Sequence, residues 1–201
     1  DRRRPLPQFA IETFEDWFAK HKVEGDGANG DVVLFHDTFN NYNTPNVAIA
    51  ATRFLEESGY SVLLVDKKCC GRPMISKGML SQAKENAAWN VEKLAPFAEK
   101  GTPIVGLEPS CLLTLRDEYP EFIRTNAVKK VAANSFLLEE FVMREVNAGK
   151  LKFTANSNGK KVLLHGHCHQ KALVGTAPTV AMLKVAGYEV SEVDSGCCGM
   201  A

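Results

Sequence analysis

The sequence predicts an α/β protein made of two tandem halves with mainly parallel sheets, related by internal duplication. Short apolar segments rich in β-branched residues alternate with longer segments of helical spacing, which is typical of βαβ units. Two of these apolar segments lead into Cys-Cys-Gly turns, and similar residues precede both turns. Right-handed crossovers between parallel strands then give each half a Rossmann-like topology.

Charge and hydropathy narrow the class of protein. The 201-residue chain carries 24 basic and 24 acidic residues, so its formal net charge is zero and no overall field favours nucleic acid as a partner. No apolar run approaches the roughly 20 residues of a membrane-spanning helix, and the first residues lack a signal-peptide pattern. The chain begins without Met and ends just after a Cys-Cys-Gly. We therefore expect a cytoplasmic piece of a longer polypeptide, without a transmembrane segment.

The elements of the first half follow a basic linker and an N-terminal helix in residues 1–30. That helix is predicted from aromatic residues at helical spacing, namely Phe9, Phe14, Trp17 and Phe18. The first half itself spans 31–125. Its predicted elements are, in order, a strand over 32–35, a helix over 46–58, a strand over 60–65, a helix over 79–99, a strand over 102–107 and a helix that opens at Pro109.

A connecting segment over 126–160 is predicted to be helical over 127–148 and to end in a turn. The second half, 161–201, then repeats the pattern, and we expect it to be truncated at its carboxyl end. Its predicted elements are a strand over 161–164, a helix over 177–186 and a strand over 188–194. Six residues of the first half recur 128 positions later, namely Gly59, Tyr60, Val62, Asp66, Cys69 and Cys70.

The cysteines indicate metal or redox chemistry. Four of the six form vicinal pairs, which are poor disulfide partners, and a cytoplasmic chain of this size needs no disulfides. The six candidates are Cys69, Cys70, Cys111, Cys168, Cys197 and Cys198. Most of them follow predicted strands, and the carboxyl ends of parallel strands meet at one edge of a sheet. Thiolates are the ligands that iron–sulfur clusters and soft metals prefer, and a following Gly lets the backbone curl towards a cluster.

Other chemistries remain open at some of these positions. The segment 165–169, His-Gly-His-Cys-His, also suits zinc, which readily binds mixtures of His and Cys. A nucleophilic Cys168 beside its histidines is possible chemically, but it leaves the paired cysteines unexplained. Nucleotide binding is disfavoured, because neither glycine-rich phosphate-binding motif follows the first strand.

From about residue 31 to its end, the chain resembles a known family. The matching motifs are Cys69-Cys70-Gly71-Arg72-Pro73, Pro109-Ser110-Cys111, His167-Cys168-His169 and Cys197-Cys198-Gly199. They are similar, in order and spacing, to the cysteine-rich CCG domain found in a subunit of heterodisulfide reductase, in the small subunit of anaerobic glycerol-3-phosphate dehydrogenase and in the iron–sulfur subunits of glycolate oxidase. The greatest similarity is to the C-terminal module of fused FAD-linked oxidases of the D-lactate or D-2-hydroxyglutarate dehydrogenase type.

This resemblance implies an iron–sulfur electron-transfer module of a flavin-dependent 2-hydroxy-acid oxidoreductase. A cluster of the 4Fe-4S type would bind the six cysteines, and FAD would lie in a separate domain. The implied partners are flavin and ferredoxin-like domains of the parent chain and a quinone or another acceptor, with peripheral contact at the inner membrane. The segment alone is not expected to be catalytic.

The first half departs from the family pattern at two places. His36-Asp37-Thr38 stands where the family has its first Cys, and Glu108-Pro109-Ser110-Cys111 carries one Cys instead of two. Asp37 or His36 could complete the first ligand set, and His167 and His169 could contribute to the second. One alternative is a zinc-stabilised structural or docking domain without a redox cluster. Another is a crevice that binds a small hydroxy acid or thiol through His167, His169 and Arg72.

Overall fold

The computed structural model describes residues 6–152 and 156–196, so Cys197 and Cys198 lie outside the described residues. A four-stranded sheet has the order β2-β1-β3-β4, and a second sheet pairs β5 with β6. All the described strand pairs are parallel, which confirms the predicted α/β class. The strands are β1 (Gly30–Phe35), β2 (Tyr60–Leu63), β3 (Ile104–Gly106), β4 (Ser135–Leu137), β5 (Lys161–Leu164) and β6 (Glu189–Glu192).

Helices connect the strands and cover the first sheet. Within the described ranges, no helix has both the length and the apolar character that crossing a membrane requires. The helices are α1 (Phe14–Lys20), α2 (Thr38–Tyr42), α3 (Pro45–Glu57), α4 (Arg72–Ser76), α5 (Leu80–Glu99), α6 (Pro109–Arg116), α7 (Glu118–Phe122), α8 (Asn126–Ala133), α9 (Leu138–Asn147), α10 (Cys168–Leu173) and α11 (Ala177–Val185).

Strand β1 lies at the centre of the first sheet and is buried on both faces. Its side chains alternate, so that Val33 and Phe35 pack against α5, α6 and α8, whereas Val32 and Leu34 pack against α1, α3 and α9. Burial on both faces explains why this strand is a continuous apolar run without polar alternation. Two hydrophobic clusters, one on each face, therefore fix the strand that lies between β2 and β3.

Two predicted helices differ from the structure. The continuous helix predicted over 127–148 is interrupted by β4, which pairs with β3 between α8 and α9. Tertiary pairing overrides the local helical pattern here, because three residues carry little propensity of their own. The N-terminal helix begins only at Phe14, where Thr13 and Asp16 form a capping box, and Phe9 is 79% exposed before it.

The second unit matches the first in local geometry. Strand, short helix, longer helix and strand follow one another in both, as β1-α2-α3-β2 and as β5-α10-α11-β6. Asp37 caps α2 by accepting the Phe39 amide, and His167 caps α10 by accepting the His169 amide. The predicted duplication and the domain boundaries stay predictions, but this geometry places Thr38 and Cys168 in equivalent positions.

The second sheet is less covered than the first among the described residues. By strand register, Val33 pairs with Leu63 and Leu163 pairs with Ser191, so Val33 and Leu163 occupy equivalent positions. Leu163 is nevertheless 71% exposed, whereas Val33 is 1% exposed. The described core of the protein is therefore built around the first sheet.

This difference in burial predicts how two substitutions change the free energy of unfolding. Phe141→Ala removes a fully buried ring that packs edge-on against Tyr60, at 5.2 Å between ring centroids, and we expect a loss of about 3 to 5 kcal/mol. Leu163→Ala should change stability by less than about 0.5 kcal/mol, because that side chain is already hydrated. Urea unfolding measures both, and equal losses would contradict the described packing.

Candidate metal centre

Parallel pairing brings the carboxyl ends of three strands to one edge of the first sheet. β1 lies between β2 and β3 in parallel register, so the chain leaves all three strands in the same direction. The segment after β2 carries Cys69 and Cys70, and the segment after β3 opens α6, whose third residue is Cys111. The sheet thus delivers two chain segments with cysteines to one place.

The side chains of Cys69, Cys70 and Cys111 lie in a row there, although their three sulfurs are not all within 4.8 Å of one another. The Cys69 thiol is hydrogen-bonded to the Cys70 thiol, and the Cys70 thiol is hydrogen-bonded to that of Cys111. Cys70 and Cys111 are buried, and Cys69 is partly exposed. The structure therefore brings together all three cysteines that were proposed for the first half, with Cys70 in the middle. We call these three residues the thiol cluster.

Two backbone amides point at this thiol cluster. The Gly71 amide donates to the sulfur of Cys69, and the Arg72 amide donates to the sulfur of Cys70. Gly71 has a φ of 92°, in the left-handed region that favours glycine. Such amides stabilise negative charge on sulfur, and hydrogen bonds to sulfur tune the reduction potentials of iron–sulfur centres.

Side chains from α5 hold the backbone of the Cys-Cys-Gly turn. Asn90 accepts the Lys68 amide at 2.8 Å and donates to the Lys68 carbonyl at 3.1 Å, while Asn86 donates to the Cys69 carbonyl at 3.1 Å. Asn90 is fully buried. The sequence analysis did not identify this pair. A detectable signal exists, because the two asparagines are four residues apart and lie beside the apolar face of the helix.

A buried tyrosine from α7 completes this support and was also missed. The Tyr119 hydroxyl donates to the Cys70 carbonyl at 3.1 Å and accepts from the Asn90 side chain at 2.8 Å. Burial raises the pKa of Tyr119, and the three nearby thiols raise it further, so its hydroxyl stays protonated. Nothing in the local sequence connects Tyr119 to Cys70, because 49 positions separate them.

In the metal-free protein the raised pKa values of Cys69 and Cys70 keep these two thiols protonated. The hydrogen bond with Cys111 is the largest of the effects that raise the pKa of Cys70 to about 12, and burial adds to it. The hydrogen bond with Cys70, followed by burial, raises the pKa of Cys69. A bound metal ion reverses this preference, since a coordinating thiol is deprotonated outright. Metal binding to these residues would therefore release protons.

The two other candidates of the first half have structural partners. The Asp37 carboxylate accepts the amides of Phe39 and Asn40 and also the Asn40 side chain. His36 is buried, with its Nε2 atom 2.6 Å from a carboxylate oxygen of Glu15. Burial, followed by the positive charge of Lys67, lowers the pKa of His36. Their role as ligands stays a prediction, and both already serve the local fold.

The candidates of the second half lie beside the first half. Cys168 is exposed at the first position of α10. His167 caps that helix through Nδ1, and its Nε2 atom is 3.6 Å from a Glu108 carboxylate oxygen. The Nε2 atom of His169 lies 3.1 Å from the Arg72 guanidinium. The turn that carries Cys69 and Cys70 and the turn that carries Cys168 therefore contact each other through Arg72 and His169.

A second group of potential ligands also lies at this border. Asp117, Glu118 and His169 have donor atoms within 4.8 Å of one another. The Arg72 guanidinium is, however, bonded to Glu118 and in contact with His169, so a positive charge already occupies the group. The Glu118 carboxylate therefore already neutralises the Arg72 charge in the absence of an anionic substrate.

The donor chemistry of the thiol cluster fits a thiophilic metal centre. Three cysteines neighbour one another at a sheet edge, backbone amides interact with two of their sulfurs, and the turn that carries two of them is held by buried side chains. Iron–sulfur clusters and zinc both accept such ligands. Cys69, Cys70 and Cys111 are the described residues that would hold the metal.

Three cysteines at one edge of a parallel α/β sheet agree with the cysteine-rich domain predicted from the sequence. The family model described as a cysteine-rich domain, CCG, matches residues 33–116. Residues 33–116 are thus similar to this cysteine-rich domain, which confirms the resemblance. The matched segment contains the whole thiol cluster.

Curated relatives share the chain's sequence over most of its length. It is 32% identical over 204 residues to a subunit of the anaerobic glycerol-3-phosphate dehydrogenase of Escherichia coli K12, covering 100% of the chain and 51% of the relative. D-2-hydroxyglutarate dehydrogenase of the same strain is 26% identical, covering 85% of the chain and 16% of the relative. A subunit of the fumarate reductase (CoM/CoB) of Methanothermobacter marburgensis is 26% identical, covering 99% and 40%. The chain thus spans about half the length of these relatives, or less, and no solved structure matches it.

The environment of Cys70 predicts slow alkylation in the metal-free protein. Since the thiolate is the nucleophile, burial and a pKa of about 12 should make Cys70 react with iodoacetamide at pH 8 at least about 100-fold more slowly than exposed Cys168. Peptide mapping by mass spectrometry after timed quenching gives both rates, and the difference should vanish in urea. Equal rates in the folded protein would contradict the described thiol cluster.

Proposed function

We propose that this chain is an iron–sulfur electron-transfer module of a flavin-dependent oxidoreductase. The observation that carries the proposal is the convergence of Cys69, Cys70 and Cys111, with backbone amides directed at two of their sulfurs. Its relatives are subunits or parts of dehydrogenases and reductases, which supports participation in an oxidoreductase. Thiolate ligands with amide hydrogen bonds suit a centre that changes charge by one electron.

The finer assignment extends this proposal to the whole enzyme. A cluster of the 4Fe-4S type would use the thiol cluster in the first half and Cys168, Cys197 and Cys198 in the second. Electrons from a 2-hydroxy acid would pass from FAD in a separate domain, through ferredoxin-like clusters, to this module and then to a quinone or another acceptor. The enzyme would be cytoplasmic, with peripheral contact at the inner membrane. Three of the relatives' names, a glycerol-3-phosphate dehydrogenase, a D-2-hydroxyglutarate dehydrogenase and a fumarate reductase, support redox chemistry on small organic acids or alcohols.

A zinc-stabilised domain without a redox cluster is the second candidate. The ligand count of the first half favours it, because Thr38 stands where the second unit has Cys168 and three thiols remain. Zinc needs four ligands but no electron-transfer partner, and His or carboxylate groups readily complete its shell. The two candidates differ in which metal the native protein contains.

Metal analysis of the full-length protein, purified without oxygen, distinguishes the two candidates. We expect iron and acid-labile sulfide in the wild type, and we expect Cys69→Ser, Cys70→Ser and Cys111→Ser each to lose the iron and sulfide of the first centre. Removing one thiolate leaves a cluster iron without its ligand. The measurement is iron and sulfide content per chain.

Met74→Leu is the matched control, because it removes a thioether sulfur beside the same turn, where Asn86 contacts Met74 at 3.7 Å. This variant should keep the wild-type iron content. Unchanged iron in the three cysteine variants would overturn the proposal. Stoichiometric zinc without iron in the wild type would select the second candidate instead.

A further inference from the structure

We infer that Tyr119 is a positioning residue that aims the Gly71 amide at the sulfur of Cys69, and that Asn90 holds Tyr119 in the required orientation. This inference rests on the proposed function for its redox consequence, but its geometric part concerns the protein alone. The geometry that supports it is a planar peptide with one hydrogen bond at each end.

The Cys70 carbonyl and the Gly71 amide belong to the same peptide group. That peptide is trans, so the carbonyl oxygen and the amide hydrogen point in opposite directions. Tyr119 binds the oxygen at 3.1 Å, and the hydrogen is directed at Cys69. Fixing one end of a rigid plane fixes the other end. Tyr119 therefore controls a hydrogen bond to sulfur without touching that sulfur.

Asn90 determines which way the Tyr119 hydroxyl points. The Asn90 side-chain amide donates to the Tyr119 oxygen at 2.8 Å, so the hydroxyl hydrogen remains available for the Cys70 carbonyl. The same side-chain amide also donates to the Lys68 carbonyl at 3.1 Å. All of these groups are buried or partly buried, where an unmade hydrogen bond is costly. The network therefore has one favoured arrangement.

The neighbouring amide is held by different means. The Arg72 amide donates to the sulfur of Cys70, and its peptide partner, the Gly71 carbonyl, accepts the Ile75 amide at 2.9 Å at the start of α4. Its direction thus depends on the backbone of a helix and not on Tyr119. This contrast supplies an internal control, because a change at Tyr119 should affect the Gly71 amide and leave the Arg72 amide unchanged.

The redox consequence follows from charge. An amide that donates to a ligand sulfur stabilises the more negative, reduced state of a centre. Loss of the Gly71 hydrogen bond should therefore make the midpoint potential more negative. Outer partners of metal ligands commonly change affinity by about 10-fold or more. A tenfold change in the redox equilibrium corresponds to about 59 mV for one electron.

Tyr119→Phe tests the inference, with Tyr60→Phe as the matched control. Tyr60, the first residue of β2, is also a buried tyrosine, and its hydroxyl bonds Glu145 at 2.8 Å, away from the thiol cluster. Both variants lose one buried hydroxyl and should lose similar thermal stability. Asn90→Ala is a second variant that leaves the ring of Tyr119 in place.

Two measurements are needed. In the metal-free full-length protein, hydrogen exchange of the Gly71 amide should become on the order of 10-fold faster in Tyr119→Phe, with the Arg72 amide unchanged. In the iron-loaded full-length protein, the midpoint potential should become more negative in Tyr119→Phe and Asn90→Ala, and it should stay at the wild-type value in Tyr60→Phe.

The outcomes separate this inference from the proposed function. Iron-loaded Tyr119→Phe and Asn90→Ala with wild-type exchange and potential would overturn the inference alone. If the wild type contains no iron, the proposed function fails, and the exchange experiment still decides whether Tyr119 positions the Gly71 amide. If Tyr60→Phe shifts the potential as much as Tyr119→Phe does, the effect is general destabilisation and the inference is wrong.

Discussion

Parallel pairing of β1 with both β2 and β3 is the constraint on which the candidate site depends. Parallel strands must be joined by crossovers, so the segments that follow β2 and β3 leave the sheet at the same edge. One segment carries Cys69 and Cys70, and the other carries Cys111. The burial of β1 on both faces stabilises this pairing. Cys70 and Cys111 are neighbours because of sheet topology, although 41 positions separate them in the sequence.

Periodicity predicted most of the long elements of the fold. The strands around 32–35, 60–65 and 161–164 and the helices around 46–58, 79–99 and 177–186 all have counterparts in the structure. The short helices α2, α4 and α10 were not predicted, since five or six residues do not complete two helical turns. β4 was missed because its three residues adopt a strand through pairing with β3.

The grouping of Cys69, Cys70 and Cys111 was predictable from the sequence, whereas the residues that hold their turn in place were not. Cysteine spacing alone indicates Cys69, Cys70 and Cys111, because thiols in such a pattern have few other uses. Tyr119 acts through a long-range contact with the backbone of the turn, and no local pattern marks it for that contact. Residues that hold a site in place are therefore harder to predict than residues that bind the ligand.

The two units make unequal contributions to the region where they meet. Arg72 follows the first cysteine turn, His169 follows Cys168, and their side chains lie 3.1 Å apart. Thr38 and Cys168 occupy equivalent helix starts, yet Cys168 alone offers a thiol. The first unit surrounds its thiols with buried partners, whereas Cys168 is exposed. If both units bind metal, their centres should therefore differ in solvent access and in ligand set.

Iron K-edge X-ray absorption of the full-length protein tests the central claim most directly when Cys168, Cys197 and Cys198 are all replaced by Ser. The thiol cluster then contains the three cysteines that remain in this sequence. Iron bound elsewhere in the protein is removed by subtracting the spectrum of a variant that also carries Cys69→Ser, Cys70→Ser and Cys111→Ser. The account predicts a difference spectrum with iron bound mainly to sulfur. A zero difference, or a difference dominated by oxygen and nitrogen neighbours, would contradict it.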